Sequence, residues 1–366
     1  MKNSLEVLIK PLCAWYEANR KSFPWREDPT PYHVWISEIM LQQTRIEAAL
    51  PYYARFLEAF PDVCALAAAD EEKVLKQWQG LGYYSRAKNL QKAAKLICEK
   101  YSGELPCTAK ELRDLPGIGD YTAGAIASIA MGLPEPAVDG NVLRVVMRFT
   151  ACYDDVMRTD VRKRVINELR DVYPSGKQAA LFTEALMELG ETVCLPNGTP
   201  KCEVCPLADF CAARAGKLTD ILPVRSAQKP RKREEHTILF LVHDGRLALH
   251  KRTNGVLSDL WEPVNLDGKK TLCEIKALLS DCGVQVKADS IVDLGQTKHI
   301  FSHIEWHMNG YAILIEEPIE ETGNLLFVEA SDAMARYAIP SAFAAYAKNL
   351  NIMLGNERFE QEEKQG

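Results

Sequence analysis

The chain has 366 residues, 47% of them hydrophobic and 26% charged, a composition for two or three folded domains rather than a disordered or fibrous chain. No apolar run reaches the 18 residues of a membrane span, and the N-terminus lacks the pattern of a secretory signal, so a cytoplasmic protein without membrane contact is expected. The net charge of −6 argues against a uniformly basic nucleic-acid binder, yet residues 301–366 alone hold 4 Lys and Arg against 11 Asp and Glu, so the rest of the chain is nearly balanced and can carry a local basic face.

Residues 5–215 read as mainly helical. In HVWISEIMLQQTRIEAAL (33–50) the apolar residues at 36, 39, 40, 46 and 50 follow a helical period. Glu38 shares the face of Val34 and Leu41. A carboxylate there is either a half-exposed surface group or a desolvated acid with a raised pKa. GLGYYSRAKNL (80–90) combines glycines, aromatics and bases. It fits a packed turn, or an apolar wedge for a duplex with Arg86 and Lys88 on phosphates.

TAKE (108–111) has the form of a capping box. The glycine turn at 116–119 follows, and then a helix with Ala123, Ile126, Ala127 and Ala130 on one face. Such a turn is either a plain corner between helices or a cradle of backbone N–H groups for phosphate. The segment 139–149 starts another helix, capped by Asp139 or Asn141.

Eleven cysteines without a signal peptide point to a reducing compartment. Four of them, Cys194, Cys202, Cys205 and Cys211, lie within one short stretch and can enclose a single metal centre, either zinc or an iron–sulfur cluster.

Residues 216–235 read as a basic linker. RSAQKPRKR within it is either a solvated connector or a contact to a phosphate backbone. From His236 the period changes: strand, Asp-Gly turn and strand to residue 252, a helix at 271–283, and strands again at 299–315. This second, α+β domain is expected over 236–355, with a disordered polar tail at 356–366. His299, His303 and His307 share strand parity, but a metal there is not expected.

In order along the chain, FPWR (23–26), VWISEIMLQQTR (34–45), GLGYYSRAKNL (80–90), LPGIGDYTAGAI (115–126), VDGNVLRV (138–145), the cysteine cluster and FSH (301–303) resemble the MutY-type adenine DNA glycosylases of the helix-hairpin-helix superfamily. The resemblance implies a helical catalytic region with its hairpin at 108–130, a 4Fe-4S cluster on the cysteines of 194–211, and a Nudix-like C-terminal domain. It implies removal of adenine from A:8-oxoguanine, and less well from A:G, in double-stranded DNA, by a monomer. Glu38 would protonate adenine, Asp139 would stabilise the sugar cation, and Tyr121 and Asn141 would line the same site. Arg26, Gln43, Thr44, Leu81, Tyr83, Gly117, Gly119, Phe301, Ser302 and His303 would contact the DNA or the oxidised base.

Three departures carry information. In the related endonuclease III type a lysine stands two residues after the second hairpin glycine; here that residue is Tyr121, a phenol that cannot form a Schiff base, so a glycosylase without lyase activity is expected. The first cysteine interval has seven residues, Leu195 to Lys201, where the family usually has six. In the Nudix-like domain, KALLSDCGV (276–284) has Lys276-Ala277 and Ser280-Asp281 where a hydrolase needs glutamates for Mg²⁺, so recognition rather than nucleotide hydrolysis is expected. The rival readings are a glycosylase/lyase, opposed by Tyr121; a lesion binder without catalysis, opposed by Glu38 with Asp139; and a nucleotide hydrolase, opposed by the missing glutamates.

Overall fold

The computed structural model describes residues 4–227, 230–329, 332–333 and 336–346. The expected tail at 356–366 lies outside them. The chain divides into two compact units, Met1–Ala69 with Lys88–Gln228, and Asp70–Ala87 with Lys229–Gly366. The second unit is therefore built from two separate stretches of chain. The expected division near residue 216 did not include the short stretch 70–87.

The first unit is helical. One of its cores gathers Leu8, Leu12 and Tyr16 from the N-terminus, the inward face of the helix Gly140–Phe149, and Phe182, Leu186 and Leu189 of the helix Lys177–Thr192. The helix Pro31–Leu41 starts with Thr30 as cap and Pro31 in its first turn, the two residue types that suit a helix start. Its residues Val34 to Met40 are all buried, so whatever it carries at position 38 is forced out of water.

The helical spacing of 33–50 conceals a break. The first helix ends at Leu41, Gln43 takes a positive φ of 63°, and a new helix runs Ile46–Ala59. Periodicity does not register one left-handed residue when the apolar faces stay in step on both sides of it. The hairpin follows as the helix Ala109–Arg113, a turn with Gly117 at φ 78°, and the helix Asp120–Ala125, which continues through a π-helical stretch at Ile126–Ala130. A Cβ on Gly117 would come within 2.7 Å of Asn89 Cβ, so glycine is needed there for space as well as for φ. The capping box at 108–111 is only half formed. Thr108 accepts the Glu111 N–H, but the Glu111 carboxylate takes the Thr108 hydroxyl instead of its backbone N–H. The full reciprocal box is at Thr271–Glu274, which the sequence reading passed over.

The second unit holds a seven-stranded sheet: β1 (Lys232–His243), β2 (Arg246–Lys251), β3 (Trp261–Glu262), β4 (Val264–Asp267), β5 (Val286–Ile300), β6 (Ile304–Ile315) and β7 (Leu325–Glu329). The order is β3-β2-β1-β6-β5, with β4 pairing β1 and β7 pairing β2. β1 and β6 run parallel; the other pairs are antiparallel. Ile238, Phe240 and Val242 of β1 face one core, with Trp306 and Met308, while Leu239 and Leu241 face the other, with Ile275 and Leu279 of the helix Leu272–Asp281. That is the period-2 alternation of a sheet covered on both faces. β1 begins at Lys232, inside the expected linker, and residues further back are held as well: Leu222 O accepts from Arg148 and Val224 O from the Val156 N–H. Asp244 and Gly245, both at positive φ, make the expected tight turn between β1 and β2.

Candidate active site

A cavity of about 410 Å³ in the first unit brings together residues from several segments. Glu38 comes from the helix Pro31–Leu41, Gln43 and Thr44 from the break after it, Tyr121 from the second hairpin helix, and Asp139 and Asn141 from the start of the helix Gly140–Phe149. The helix Lys177–Thr192 supplies Glu184, Met187, Glu188 and Glu191.

Glu38 is 7% exposed and accepts a 2.5 Å hydrogen bond from Tyr121 Oη. Burial pushes its carboxyl up to about 7; the Tyr121 hydrogen bond pulls it down, and the negative charge of Asp139 adds to the push. It is thus a carboxylic acid that still holds a proton near neutrality. The same burial, with Glu38 beside it, drives the Tyr121 hydroxyl far above its ordinary range, so the phenol remains a donor.

Asp139 is a true N-cap. Its Oδ1 accepts the Val142 N–H at 2.7 Å and its Oδ2 accepts Asn141 Nδ2 at 2.9 Å. Burial raises its pKa, while these two bonds and the Arg144 guanidinium lower it. Two carboxyls, both raised by burial, therefore share the cavity: Glu38 with one phenol donor, Asp139 with several hydrogen bonds and a nearby cation that favour the anion. Capping and function were alternatives for Asp139 in the sequence; the cap is formed through Oδ1, and Oδ2 is held by Asn141 at the cavity.

Arg144 fixes this arrangement from behind. It donates to Asn141 Oδ1 (2.9 Å), Gly190 O (2.7 Å) and Cys194 O (2.7 Å). A Cβ on Gly190 would come within 2.5 Å of Asn141 Cβ, so a glycine is required where the two helices meet. Sequence reasoning missed Arg144 and the acidic row Glu184, Glu188 and Glu191. The spacing of that row on one helical face was the available signal.

Arg26 also lines the cavity, but its donors are already engaged by Glu188 (2.8 Å), Glu184 (3.5 Å) and Lys21 O (3.1 Å), which makes it a brace for the acidic wall. Gln43 and Thr44 sit on its rim, Gln43 exposed in its left-handed conformation. Gly117 and Gly119 are exposed on the hairpin, with Gly119 at the N-cap position of the helix Asp120–Ala125.

Five further expected site residues lie in the second unit. Leu81 is buried, whereas Tyr83 is 45% exposed, so Tyr83 is the more accessible of the two side chains. Arg86, read from the sequence as a phosphate holder, is buried and donates to Leu81 O and Gly82 O, both at 3.1 Å; its charge serves its own turn. Phe301, Ser302 and His303 form the turn between β5 and β6. Ser302 and His303 are exposed at its tip, while Phe301 packs on Trp306 at 4.9 Å and so supports the turn from below. Because that turn separates His299 from His307, the three histidines do not share one strand.

Cys194, Cys202, Cys205 and Cys211 line one small cavity together with Arg148, Lys201 and Arg214. Arg148 donates to Cys194 Sγ at 3.3 Å, a charge-assisted bond to a sulfur. Burial, aided by the neighbouring thiols, pushes Cys205 up to about 11; positive charge in their midst is what allows such thiols to ionise together. These four thiols surround a common space, an all-sulfur donor set that suits an iron–sulfur cluster. The seventh residue of the first interval is accommodated in a loop closed by Lys201 N–H on Val193 O at 3.0 Å, with Gly198 at positive φ. The protein's cofactor is a 4Fe-4S cluster, and these four thiols are the side chains that would hold it.

Comparison with known proteins agrees with this geometry. A family model described as "HhH-GPD superfamily base excision DNA repair protein" matches residues 36–172, an "iron-sulfur binding domain of endonuclease III" matches 199–211, and a "NUDIX domain" matches 236–349. The chain is 33% identical over 308 residues to a protein named adenine DNA glycosylase from Buchnera aphidicola subsp. Acyrthosiphon pisum, covering 83% of this chain and 85% of that one. It is 33% identical over 399 residues to the Mus musculus protein of that name, covering 92% and 77%. Among solved structures, a thermostable thymine-DNA glycosylase aligns with a TM-score of 0.51 at 26% identity over 58% of this chain and 96% of its own. An endonuclease III–DNA complex aligns at 0.50 and 23% identity over 60% and 98%, a likeness of fold. Among the described residues no helix is long and apolar enough to cross a membrane.

Proposed function

Since the chain belongs to the adenine DNA glycosylases, base-excision repair hydrolases that act on DNA, we propose that its substrate is adenine paired with 8-oxoguanine, and less readily with guanine, in duplex DNA. The observation that carries this reading is the raised, still protonated Glu38 in one cavity with Asp139. An N-glycosidic bond breaks readily only when the departing base is neutralised and the positive charge at C1′ is stabilised. The adenine leaves the stack, at a cost of a few kcal/mol, and enters the cavity. Glu38 gives its proton to adenine N7, and the C1′–N9 bond breaks with its electron pair going to the base. The Asp139 carboxylate stabilises the sugar cation that remains. Water then adds at C1′ and leaves an abasic site.

Tyr121 keeps Glu38 in place by its hydrogen bond and offers no amine to C1′, so the strand remains intact. Gln43, Thr44, Tyr83, Ser302 and His303 are the side chains that would meet the DNA and the oxidised base, and the exposed N–H groups around Gly117 and Gly119 would meet phosphate. Cys194, Cys202, Cys205 and Cys211 would hold the cluster, which would cross-link the loop beside the Arg144 and Arg148 braces. The test is a duplex with a single A:8-oxoguanine pair. Breaks only after hot alkali are expected; breaks without it would show a lyase, and no release of adenine would remove the reading.

A further inference from the structure

The stretch Asp70–Ala87 leaves the helical part of the chain to become part of the second unit, and its contacts there follow a pattern. At one end of the helix Glu71–Trp78, Lys76 Nζ donates to Tyr337 O at 3.1 Å, and Gln79 Nε2 donates to Ile339 O at 3.0 Å. Lys76 Nζ also donates to Gln79 Oε1 at 2.6 Å, so the two act as one clamp on two backbone carbonyls. Near the start of the same helix, Glu72 pairs with Lys251 at 3.2 Å.

The turn that follows is rigidly attached to this helix. Trp78 Nε1 donates to Gly82 O at 3.1 Å, and the buried Arg86 donates to Leu81 O and Gly82 O while its guanidinium lies over both the Trp78 and Tyr83 rings. Gly80, Gly82 and Tyr83 are all held at positive φ, and the φ of 49° at Tyr83 persists for a non-glycine only where the surroundings enforce it. At the far end of this assembly Ser302 Oγ donates to Tyr83 Oη at 3.1 Å. The Tyr83 turn and the Phe301-Ser302-His303 turn thus form one surface, whose register is set where Lys76 and Gln79 grip the backbone at 337 and 339.

We propose that Lys76 and Gln79 are positioning residues for discrimination of the base opposite adenine: they touch neither DNA nor the reacting atoms, but hold Tyr83 against Ser302 so that both read one base. This rests on the reading above that these two turns face the oxidised guanine. Two hydrogen-bonding groups distinguish 8-oxoguanine from guanine by an acceptor at O8 and a donor at N7 only if their separation is fixed; loosened, each adapts to either base.

The experiment compares single-turnover excision of adenine from A:8-oxoguanine and from A:G by the full chain and by Lys76→Met/Gln79→Met, which keeps side-chain length and removes both donors. The expected result is a loss of about tenfold in the ratio of the two rates, with the A:G rate and its pH profile unchanged, and restoration of most of the ratio by Lys76→Arg alone with Gln79 intact. An unchanged ratio overturns the proposal, as does a parallel fall in both rates. If the double variant does not fold, Gln79→Met alone is expected to lower the ratio and to speed amide exchange at residues 80–84; neither effect in that variant also overturns it. Equal rates on both mispairs in the unaltered protein would instead remove the substrate reading on which it rests, and the two failures are thereby distinguished.

Discussion

Glu38 is held at odds with stability. Its folded pKa of about 7 lies above the ordinary carboxylate value, so its neutral form contributes stability that is fully present below about pH 4.5 and is lost as pH rises through 7. Glu38→Gln removes this penalty. The variant should gain on the native chain by about 2–3 kcal/mol between pH 5 and pH 8, measured by urea unfolding at both values. The same substitution removes the proton donor, so single-turnover excision should fall at least about 100-fold while mispair binding survives. Near-normal excision would take Glu38 out of the acid role. In the unaltered protein, kcat/KM should decline above about pH 7, the side on which the acid loses its proton. Tyr121→Lys puts an amine in the cavity, and borohydride should then trap a covalent adduct with DNA; a variant that folds and binds without trapping would show that position 121 does not face C1′.

At the scale of elements, the contact between the helices Lys177–Thr192 and Gly140–Phe149 sets the position of Asp139. Gly190→Ala would drive a methyl into Asn141, in contact with backbone that has no room to yield. A stability loss of about 1–3 kcal/mol is expected, with a fall in kcat larger than the change in KM. A fall in stability with normal kcat would mean that the Asp139 end of the helix tolerates the shift. Much of this site was legible beforehand because it is written locally: a carboxylate on an apolar helix, two glycines in a turn, four cysteines close together, a cap residue before a helical run. What stayed hidden depends on distance or on the use of donors. Arg144 and Arg148 look like surface cations until Gly190, Cys194 and Leu222 supply carbonyls for them. Arg86 looked like a phosphate ligand because nothing in GLGYYSRAKNL says that its guanidinium is consumed by its own turn. The half-formed box at 108 shows the same limit, since Glu111 had two acceptor-seeking partners within reach and the pattern could not choose between them.

For the whole molecule, the feature that matters is that the second unit is discontinuous in sequence. Cutting the chain to residues 1–227 would strip 70–87 of the rest of its unit. Such a fragment should still excise adenine, since the cavity residues all precede the cut, but its preference between the two mispairs should collapse toward one. Trypsin should also cleave it at Lys76, whose side chain is clamped on Tyr337 O and Gln79 in the full chain. Retained preference in the fragment would show that discrimination needs nothing beyond residue 227.

The discontinuity also has a consequence in time. On the ribosome, 70–87 emerges well before the strands that complete its unit, since residues 88–228 must be made first. At a synthesis rate of roughly 5–20 residues per second, the helix Glu71–Trp78 waits at least about 7–28 s for the rest of its unit. During that interval the carbonyls of Tyr337 and Ile339 that Lys76 and Gln79 clamp, and the Ser302 hydroxyl that meets Tyr83, do not yet exist. Nascent chains halted near residue 228 should therefore be cut by trypsin at Lys76, and protection there should appear once synthesis has passed residue 339.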